Sequence, residues 1–252
     1  EIRLSLVGSE MCIRDSSDKE HGFHKVLWDS EIIDDHAVKF TYVSPDGEQG
    51  FPGTLVTNII YTVTETNGLI VSYHAVSDKK TLINLTNHNY FNLGGHESGT
   101  IENTKVRIYA DEFTPINEDT IPTGEIRKVE HTPMDFREWK KIKNDLYAED
   151  EQLEKGKGYD HNFVIRNKDC GFRKMAEALD EEQGIKMEVY SDLPEVSVSK
   201  SQFLLFSRHG SPFLMNYPSF PKIVQERLIA FVKAPFLRLP FVWSLVYPCL
   251  HC

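Results

Sequence analysis

The part of the chain with the most chemical potential is the run N-L-T-N-H-N-Y-F-N-L at residues 84–93. It places His88 among side-chain amides and beside two aromatic residues, Tyr90 and Phe91. Amides can match the hydroxyls of a sugar by hydrogen bonding, and aromatic faces can cover its C–H surfaces. A histidine exchanges protons near neutral pH. The run therefore predicts the wall of a sugar-binding cleft in which acid/base chemistry takes place.

Only part of this run can face such a cleft. In an extended segment His88 and Tyr90 project from one face, whereas Asn87 and Asn89 project from the other. Taken without its neighbours, a histidine in a polar strand is more often a structural residue with satisfied hydrogen bonds. The density of amides favours a ligand or a network, because so many unpaired polar groups are costly. Both interpretations stay open from these residues alone.

A second candidate is Asp160, in the run G-Y-D-H-N-F at residues 158–163. In a regular strand Asp160 and His161 face opposite ways, so they cannot both touch one ligand. A carboxylate accepts hydrogen bonds from neighbouring sugar hydroxyls, which suits Asp160 to anchoring a ligand. Equally, it could be a turn residue that bonds its own backbone.

A third group of residues lies near the N-terminus, where His21 and His24 precede Trp28. We interpret these as surface histidines and a core tryptophan. The sequence holds no glycine-rich phosphate loop, nucleophile elbow or H-E-x-x-H motif.

The elements that must position these residues read as strands. Residues 37–43, 53–63 and 69–76 alternate apolar and polar side chains, and turn-forming residues separate them at 44–47 and 65–68. The pattern continues at residues 104–110, 162–165 and 185–190, and the charged residues 136–157 could hold a short helix. Short strands without a βαβ rhythm predict an all-β fold, a sandwich of large antiparallel sheets.

The charge, apolar content and cysteines of the chain restrict which partners and which cellular location we expect. The chain has 252 residues, 40% apolar content and a formal charge of −10 from 38 acidic and 28 basic residues. Without a basic stripe this charge disfavours nucleic acid and anionic membranes. Since no stretch approaches the roughly 18 apolar residues of a membrane span and no signal peptide is recognisable, we expect a cytoplasmic protein. Cys249 and Cys252 have C-x-x-C spacing, but one pair is weak evidence, and we predict no metal site.

Two regions differ from the rest. Residues 1–16 resemble translated adapter sequence, and residues 197–252 contain a single acidic residue, Glu226, against six Lys/Arg. We therefore expect residues 17–196 to form one partial β-sandwich domain. We expect residues 1–16 to lie outside the fold, and residues 197–252 to be a non-family tail produced by a frameshift or unspliced sequence.

Five stretches together resemble the aldose 1-epimerase (galactose mutarotase) family. The resemblance implies a galactose mutarotase-like supersandwich, here incomplete at both ends, with an open cleft and no cofactor. It implies a free aldose, galactose or glucose, as the small-molecule partner and interconversion of its anomers as the activity, and a monomer is the default for such a sandwich. The stretches are residues 22–28, 44–53, 84–93, 121–125 and 158–163.

The resemblance also assigns roles. It makes His88 the general acid that protonates the ring oxygen, with Asn89 and Tyr90 beside it in the substrate site, and it makes Asp160 the residue that holds sugar hydroxyls. The family's general base is a glutamate near the C-terminus. Neither Glu195 nor Glu226 has a matching context, so the base is unassigned and we expect the chain as written to be inactive.

Two alternatives remain at this point. A carbohydrate-binding protein could keep the cleft without catalysis. A hexose-6-phosphate 1-epimerase would need a basic cluster to hold the phosphate, and the motif region contains none.

Overall fold

The computed structural model describes residues 22–23, 25–83, 85, 90–95, 97–167, 171–192, 195–199, 203–204, 213–214 and 224–233. Only the backbone is described for residues 90, 195 and 197–199 and for those after 199. Within these residues the regular secondary structure is almost entirely strand. The α-helix that they contain, α1 (Glu151–Lys155), lies inside the charged segment predicted to hold one. Two short 3-10 turns span Glu48–Gly50 and Ile142–Asn144. The predicted all-β class is confirmed.

The strands are numbered in chain order. They are β1 (Asp29–Asp34), β2 (Ala37–Ser44), β3 (Leu55–Val63), β4 (Gly68–Ser77), β5 (Leu82–Ile83), β6 (Tyr90–Phe91), β7 (Lys105–Ile108), β8 (Ala110–Thr114), β9 (Arg127–Lys128), β10 (Lys140–Lys141), β11 (Asp160–Ile165), β12 (Arg173–Asp180), β13 (Ile185–Ser191), β14 (Glu195–Ser199), β15 (Phe203–Leu204), β16 (Phe213–Leu214) and β17 (Val224–Lys233).

A large antiparallel sheet has the strand order β1-β2-β3-β4-β17-β13-β12-β7-β10. Its first half is the meander that the alternating sequence predicts, with β2, β3 and β4 paired in register. The turns behave as their residues require, since Gly47 and Asn67 have φ values of 87° and 60°, a region that glycine and asparagine tolerate. Local sequence therefore determines this half of the sheet.

A second sheet, in the order β14-β11-β8-β9, packs against the large one. The apolar residues between them form a continuous buried cluster. The large sheet contributes Ile59, Val106 and Met187 to it, and the smaller sheet contributes Phe113 and Phe163. The two inner faces thus form the core of a sandwich.

Residues beyond Val196 also contribute strands to the described structure. β15 pairs with β6, β16 pairs with β5, and β17 lies between β4 and β13 in the large sheet. Residues 1–16 lie outside the described residues. The division of the chain at Val196 stays a prediction.

Two buried glutamates and two partly exposed lysines form a charged cluster on the large sheet. Glu177 and Glu188 are directly opposite each other on β12 and β13, and they are only 4% and 7% exposed. The Nζ atom of Lys186 lies 2.6 Å from Glu177 and 2.9 Å from Glu188. Lys174 lies 3.1 Å and 3.2 Å from the same carboxylates. Two lysines therefore offset the repulsion that two facing carboxylates would otherwise impose.

The cluster changes the acidity of its carboxyl groups. The hydrogen bond from Lys186 is the largest cause that lowers the pKa of Glu188, to about 2, with Lys174 adding to it. Burial raises the pKa of Glu177, but hydrogen bonds from Lys186, Tyr109 and Lys174 outweigh it and leave that pKa below its usual value. Both carboxyls are therefore held in their charged form.

Candidate functional site

The predicted proton donor and its neighbour cannot be placed. His88 and Asn89 lie outside the described residues, and of Tyr90 only the backbone, in β6, is described. The roles of these three residues stay predictions. His21 and His24 also lie outside the described residues. Trp28 is buried in the core, as the sequence predicted.

One amide of the run at residues 84–93 is structural. The Oδ1 atom of Asn92 accepts a hydrogen bond from the backbone N–H of Gly94 at 3.0 Å, and its Nδ2 atom donates to Ser98 Oγ at 3.0 Å. A Cβ atom added to Gly94 would lie 2.6 Å from the same hydroxyl. Asn92 thus closes the tight turn that follows β6 and is already committed to it.

The sheet pairing places Asp160 and β6 against two strands that are in contact with each other. Asp160 pairs with Ser199 of β14. Tyr90 pairs with Leu204 of β15, and β14 and β15 are in contact. Two motifs separated by about seventy residues of sequence therefore pair with two strands that contact each other. This juxtaposition is the structural reason to treat them as parts of one site.

Asp160 and His161 do face opposite ways, as predicted. Asp160, the first residue of β11, is half-buried, whereas His161 is 1% exposed. The imidazole of His161 packs edge-on against Phe113, with ring centroids 5.8 Å apart. Its Nδ1 atom accepts a hydrogen bond from the backbone N–H of Asp160 at 3.2 Å. Burial lowers the pKa of His161 to about 4, so the ring is neutral at pH 7.

The other ring nitrogen of His161 meets Gln152, which is 3% exposed. The distance from His161 Nε2 to Gln152 Oε1 is 3.3 Å. The same oxygen accepts the backbone N–H of Ile116 at 2.7 Å, and Gln152 Nε2 donates to the Ile116 carbonyl at 3.3 Å. Gln152 thus binds the backbone of Ile116 at two points. Sequence reasoning missed this residue, because its partners are remote in the chain.

Helix α1 is what holds Gln152 in place. The side chain of Asp150 caps the helix by accepting hydrogen bonds from the backbone N–H groups of Gln152 at 2.9 Å and Leu153 at 3.3 Å. At the other end, the N–H groups of Gly156 and Gly158 donate to the carbonyls of Gln152 and Leu153. A five-residue helix depends on such caps, because it is too short to be stable by itself.

Replacing Asp150 with alanine is expected to lower the free energy of unfolding by about 1 kcal/mol, because two backbone donors of α1 lose their acceptor. Chemical denaturation at pH 7 measures the change. Glu149→Ala is the control, since Glu149 is exposed and next in sequence. Equal midpoints for the two variants would show that the cap does not stabilise the fold.

A cavity of about 570 Å³ lies at the other end of β11, beside Arg166. Its cations are already paired. Arg137 makes two hydrogen bonds to Asp135, at 2.9 Å and 2.7 Å. Lys140 donates to Asp145 at 2.8 Å, and Arg166 pairs with Asp111. An anionic ligand would have to displace these carboxylates, so the cavity is poorly suited to a phosphate.

Two negative findings concern the residues that the structure describes. They contain no group of three or more His, Cys, Asp or Glu side chains arranged to hold a metal ion. None of their helices is long and apolar enough to cross a membrane.

Comparison with known proteins identifies the family. The sequence matches the family model for aldose 1-epimerase over residues 4–224. The chain belongs to the aldose 1-epimerase family. It is 37% identical to an aldose 1-epimerase of Escherichia coli over 183 residues, which cover 73% of this chain and 52% of that protein. It is 35% identical to a galactose mutarotase of Homo sapiens over 222 residues, covering 81% and 62% of the two chains.

The chain therefore spans only about half to three fifths of the length of these aldose 1-epimerase relatives. Solved structures show the same fold. A galactose 1-epimerase from Lactobacillus acidophilus has a TM-score of 0.73 at 22% identity, covering 84% of this chain and 68% of that one. An aldose epimerase homologue from C. elegans has a TM-score of 0.71 at 24% identity, covering 84% and 70%. The resemblance and the fold predicted from the sequence are confirmed.

Proposed function

We propose that the protein interconverts the α and β anomers of a free aldose, galactose or glucose. The observation that carries the proposal is the 37% identity to an aldose 1-epimerase of Escherichia coli. The strand of Asp160 pairs with β14, the strand of Tyr90 pairs with β15, and β14 and β15 contact each other. These pairings support the proposal, because they let two sequence motifs contribute to one site.

The mechanism follows from the groups that the family resemblance assigns. His88 donates a proton to the ring oxygen while a base removes the proton of the C1 hydroxyl, and the bond between C1 and the ring oxygen breaks. The open-chain aldehyde rotates about its C1–C2 bond, and the reverse proton transfers close the ring on the other face. Asp160 holds sugar hydroxyls throughout, and Asn89 and Tyr90 complete the substrate site. No residue of this chain is assigned as the base.

The substrate we favour is a neutral sugar. The formal charge of −10 repels a phosphorylated one. A hexose 6-phosphate is therefore a poorer fit. We further propose a cytoplasmic, monomeric protein that needs no cofactor.

For the 252-residue chain we expect sugar binding and catalytic turnover to differ. His88, which is assigned to donate the proton, and Asp160, which is assigned to hold sugar hydroxyls, are present in it, whereas a positioned base is not identified. Loss of one such group typically slows a reaction by about 10²–10⁴-fold. We therefore expect the 252-residue chain to bind galactose or glucose without rapid mutarotation, which polarimetry measures directly.

Replacing Asp160 with asparagine is expected to raise the dissociation constant for galactose about tenfold or more. A hydrogen bond to a charged acceptor contributes roughly 1.5–3 kcal/mol, and the amide keeps the shape of the side chain while removing the charge. Titration calorimetry or ligand-observed NMR of the two proteins measures the difference.

The matched control for Asp160→Asn is Asp111→Asn. It makes the same chemical change beside the cavity at the Arg166 end of β11, and we expect it to leave sugar affinity unchanged. Sugar binding that is insensitive to Asp160→Asn, or that is lost equally in both variants, would rule out the site proposed here.

A further inference from the structure

His161, which follows Asp160 in the sequence, points away from the proposed site but contacts the backbone of Asp160. His161 is buried on the core side of β11, yet one of its ring nitrogens is bonded to the Asp160 backbone. The other is bonded to Gln152. A side chain with a purely packing role needs neither hydrogen bond, so this pair indicates a second role for His161.

The partners of His161 fix which nitrogen carries the proton. The Asp160 N–H can only donate, so the Nδ1 atom that it meets at 3.2 Å must be an acceptor without a proton. Gln152 is oriented by Ile116, whose N–H requires the oxygen of the amide and whose carbonyl requires its nitrogen. The atom that Gln152 presents to His161 is therefore the oxygen, an acceptor, and His161 Nε2 must carry the proton.

Two backbone groups thus determine a single tautomer of the ring. An imidazolium would direct an Nδ1–H at the Asp160 N–H, donor against donor, so the geometry excludes the charged form independently of burial. The low pKa of His161 agrees with this. The charged group that acts on the ring is Asp150, which favours protonation and is outweighed by burial.

Two close neighbours restrict the orientation of the His161 ring. A Cβ atom on Gly156, just beyond α1, would lie 3.2 Å from His161 Cε1. On another side, Phe113 packs edge-on against the ring. The ring therefore cannot swing away from the N–H that it accepts without disturbing the cap of α1 or the core. The Nδ1 atom of His161 is thus a fixed acceptor for the backbone N–H of Asp160, the first residue of β11.

We propose that His161 and Gln152 are positioning residues for Asp160. The neutral imidazole, held in its Nε2–H tautomer by Gln152, fixes the backbone of Asp160 and with it the direction in which the carboxylate leaves β11. Only the role of that carboxylate rests on the proposed function. The contact between imidazole and backbone is independent of it.

Three substitutions at His161 separate positioning from packing. Asparagine places an amide oxygen near the Nδ1 position and can still accept the Asp160 N–H, although it leaves a void. Glutamine reaches the Nε2 position and loses the acceptor beside the backbone. Phenylalanine fills the ring volume against Phe113 and accepts nothing. Positioning and packing therefore rank the three variants in opposite orders.

We expect His161→Asn to bind galactose within about twofold of the unsubstituted chain, and His161→Phe and His161→Gln to bind about tenfold more weakly, or about 1.4 kcal/mol. Stability should follow the other order, with His161→Asn the least stable because of the void. Affinity that follows ring volume, with His161→Phe binding as tightly as His161→Asn or more tightly, would overturn the inference.

A measurement without sugar keeps this inference distinct from the proposed function. The ¹⁵N shifts of the His161 ring at pH 7 should report a protonated Nε2 and an unprotonated Nδ1. Hydrogen exchange of the Asp160 amide should be slow in the unsubstituted chain and in His161→Asn, and fast in His161→Phe. If the unsubstituted chain binds no aldose, the proposed function fails. A protonated Nδ1, or exchange that is the same in both variants, overturns the positioning role itself.

Discussion

Replacing Lys186 with methionine is expected to lower the free energy of unfolding by about 3 kcal/mol at pH 7, since it leaves two buried carboxylates to share one lysine. Glu177 and Glu188 face each other on β12 and β13 and are almost fully buried. The value lies at the lower end for breaking a buried ion pair because the Lys186 side chain is 32% exposed. Denaturant titration measures it.

The pH dependence of this effect has a definite sign. The pKa of Glu188 is lowered to about 2 in the folded chain, so its contribution is complete above the unfolded value near 4.5 and is lost as the pH falls towards 2. In Lys186→Met the repulsion between the carboxylates favours protonation of one of them. The gap in stability between the two proteins should therefore narrow from pH 7 to pH 4.

The matched control for Lys186→Met is Lys105→Met. Lys105 lies on β7 of the same sheet and pairs with Glu181 at 2.6 Å, but Glu181 is half exposed. Ion pairs of this kind contribute little to stability. A loss as large for Lys105→Met as for Lys186→Met would mean that the charged cluster has no special role.

Replacing His88 with alanine is expected to slow aldose mutarotation by about 10²–10⁴-fold, the usual contribution of one positioned proton donor. The dissociation constant for the sugar should change much less, because the residues proposed to hold its hydroxyls remain. The assay requires a base. We would therefore use a chimera whose residues after Val196 come from the Escherichia coli relative, which by the family resemblance would supply the missing glutamate.

Polarimetry of freshly dissolved α-galactose measures this rate with and without His88→Ala in the chimera. His36→Ala is the control, because His36 is an exposed histidine in the turn between β1 and β2. A chimera whose rate is unchanged by His88→Ala would remove His88 from the mechanism and leave the carbohydrate-binding alternative as the better description.

Local patterns in the sequence predicted the first half of the large sheet well. Strands at residues 37–43, 53–63 and 69–76 appear as β2, β3 and β4 with boundaries within two residues. From Leu69 to Ser77 on β4, buried and partly exposed residues alternate, and the intervening turns need only local dihedral preferences. Contacts between neighbouring residues carry this part of the fold, so the sequence displays it directly.

The contacts around Asp160 and His161 are of another kind. Period-two alternation shows that Asp160 and His161 face opposite ways, but it does not say which of them is buried. The hydrogen bond between Gln152 and Ile116 joins residues 36 positions apart, and no local sequence pattern predicts it. A local signal for α1 was available, since Asp150 stands where a helix cap is preferred and Lys155 lies in the last turn.

The position of β17 has a consequence for how the chain reaches this fold. Residues 224–233 form the strand between β4 and β13, so the centre of the nine-stranded sheet is completed by a strand that follows all its other strands in the sequence. Until that segment leaves the ribosome, β4 and β13 each expose an unpaired edge. Pairing across such a sequence separation is slow. A nascent chain therefore passes through an interval in which two half-sheets can recruit strands from other molecules.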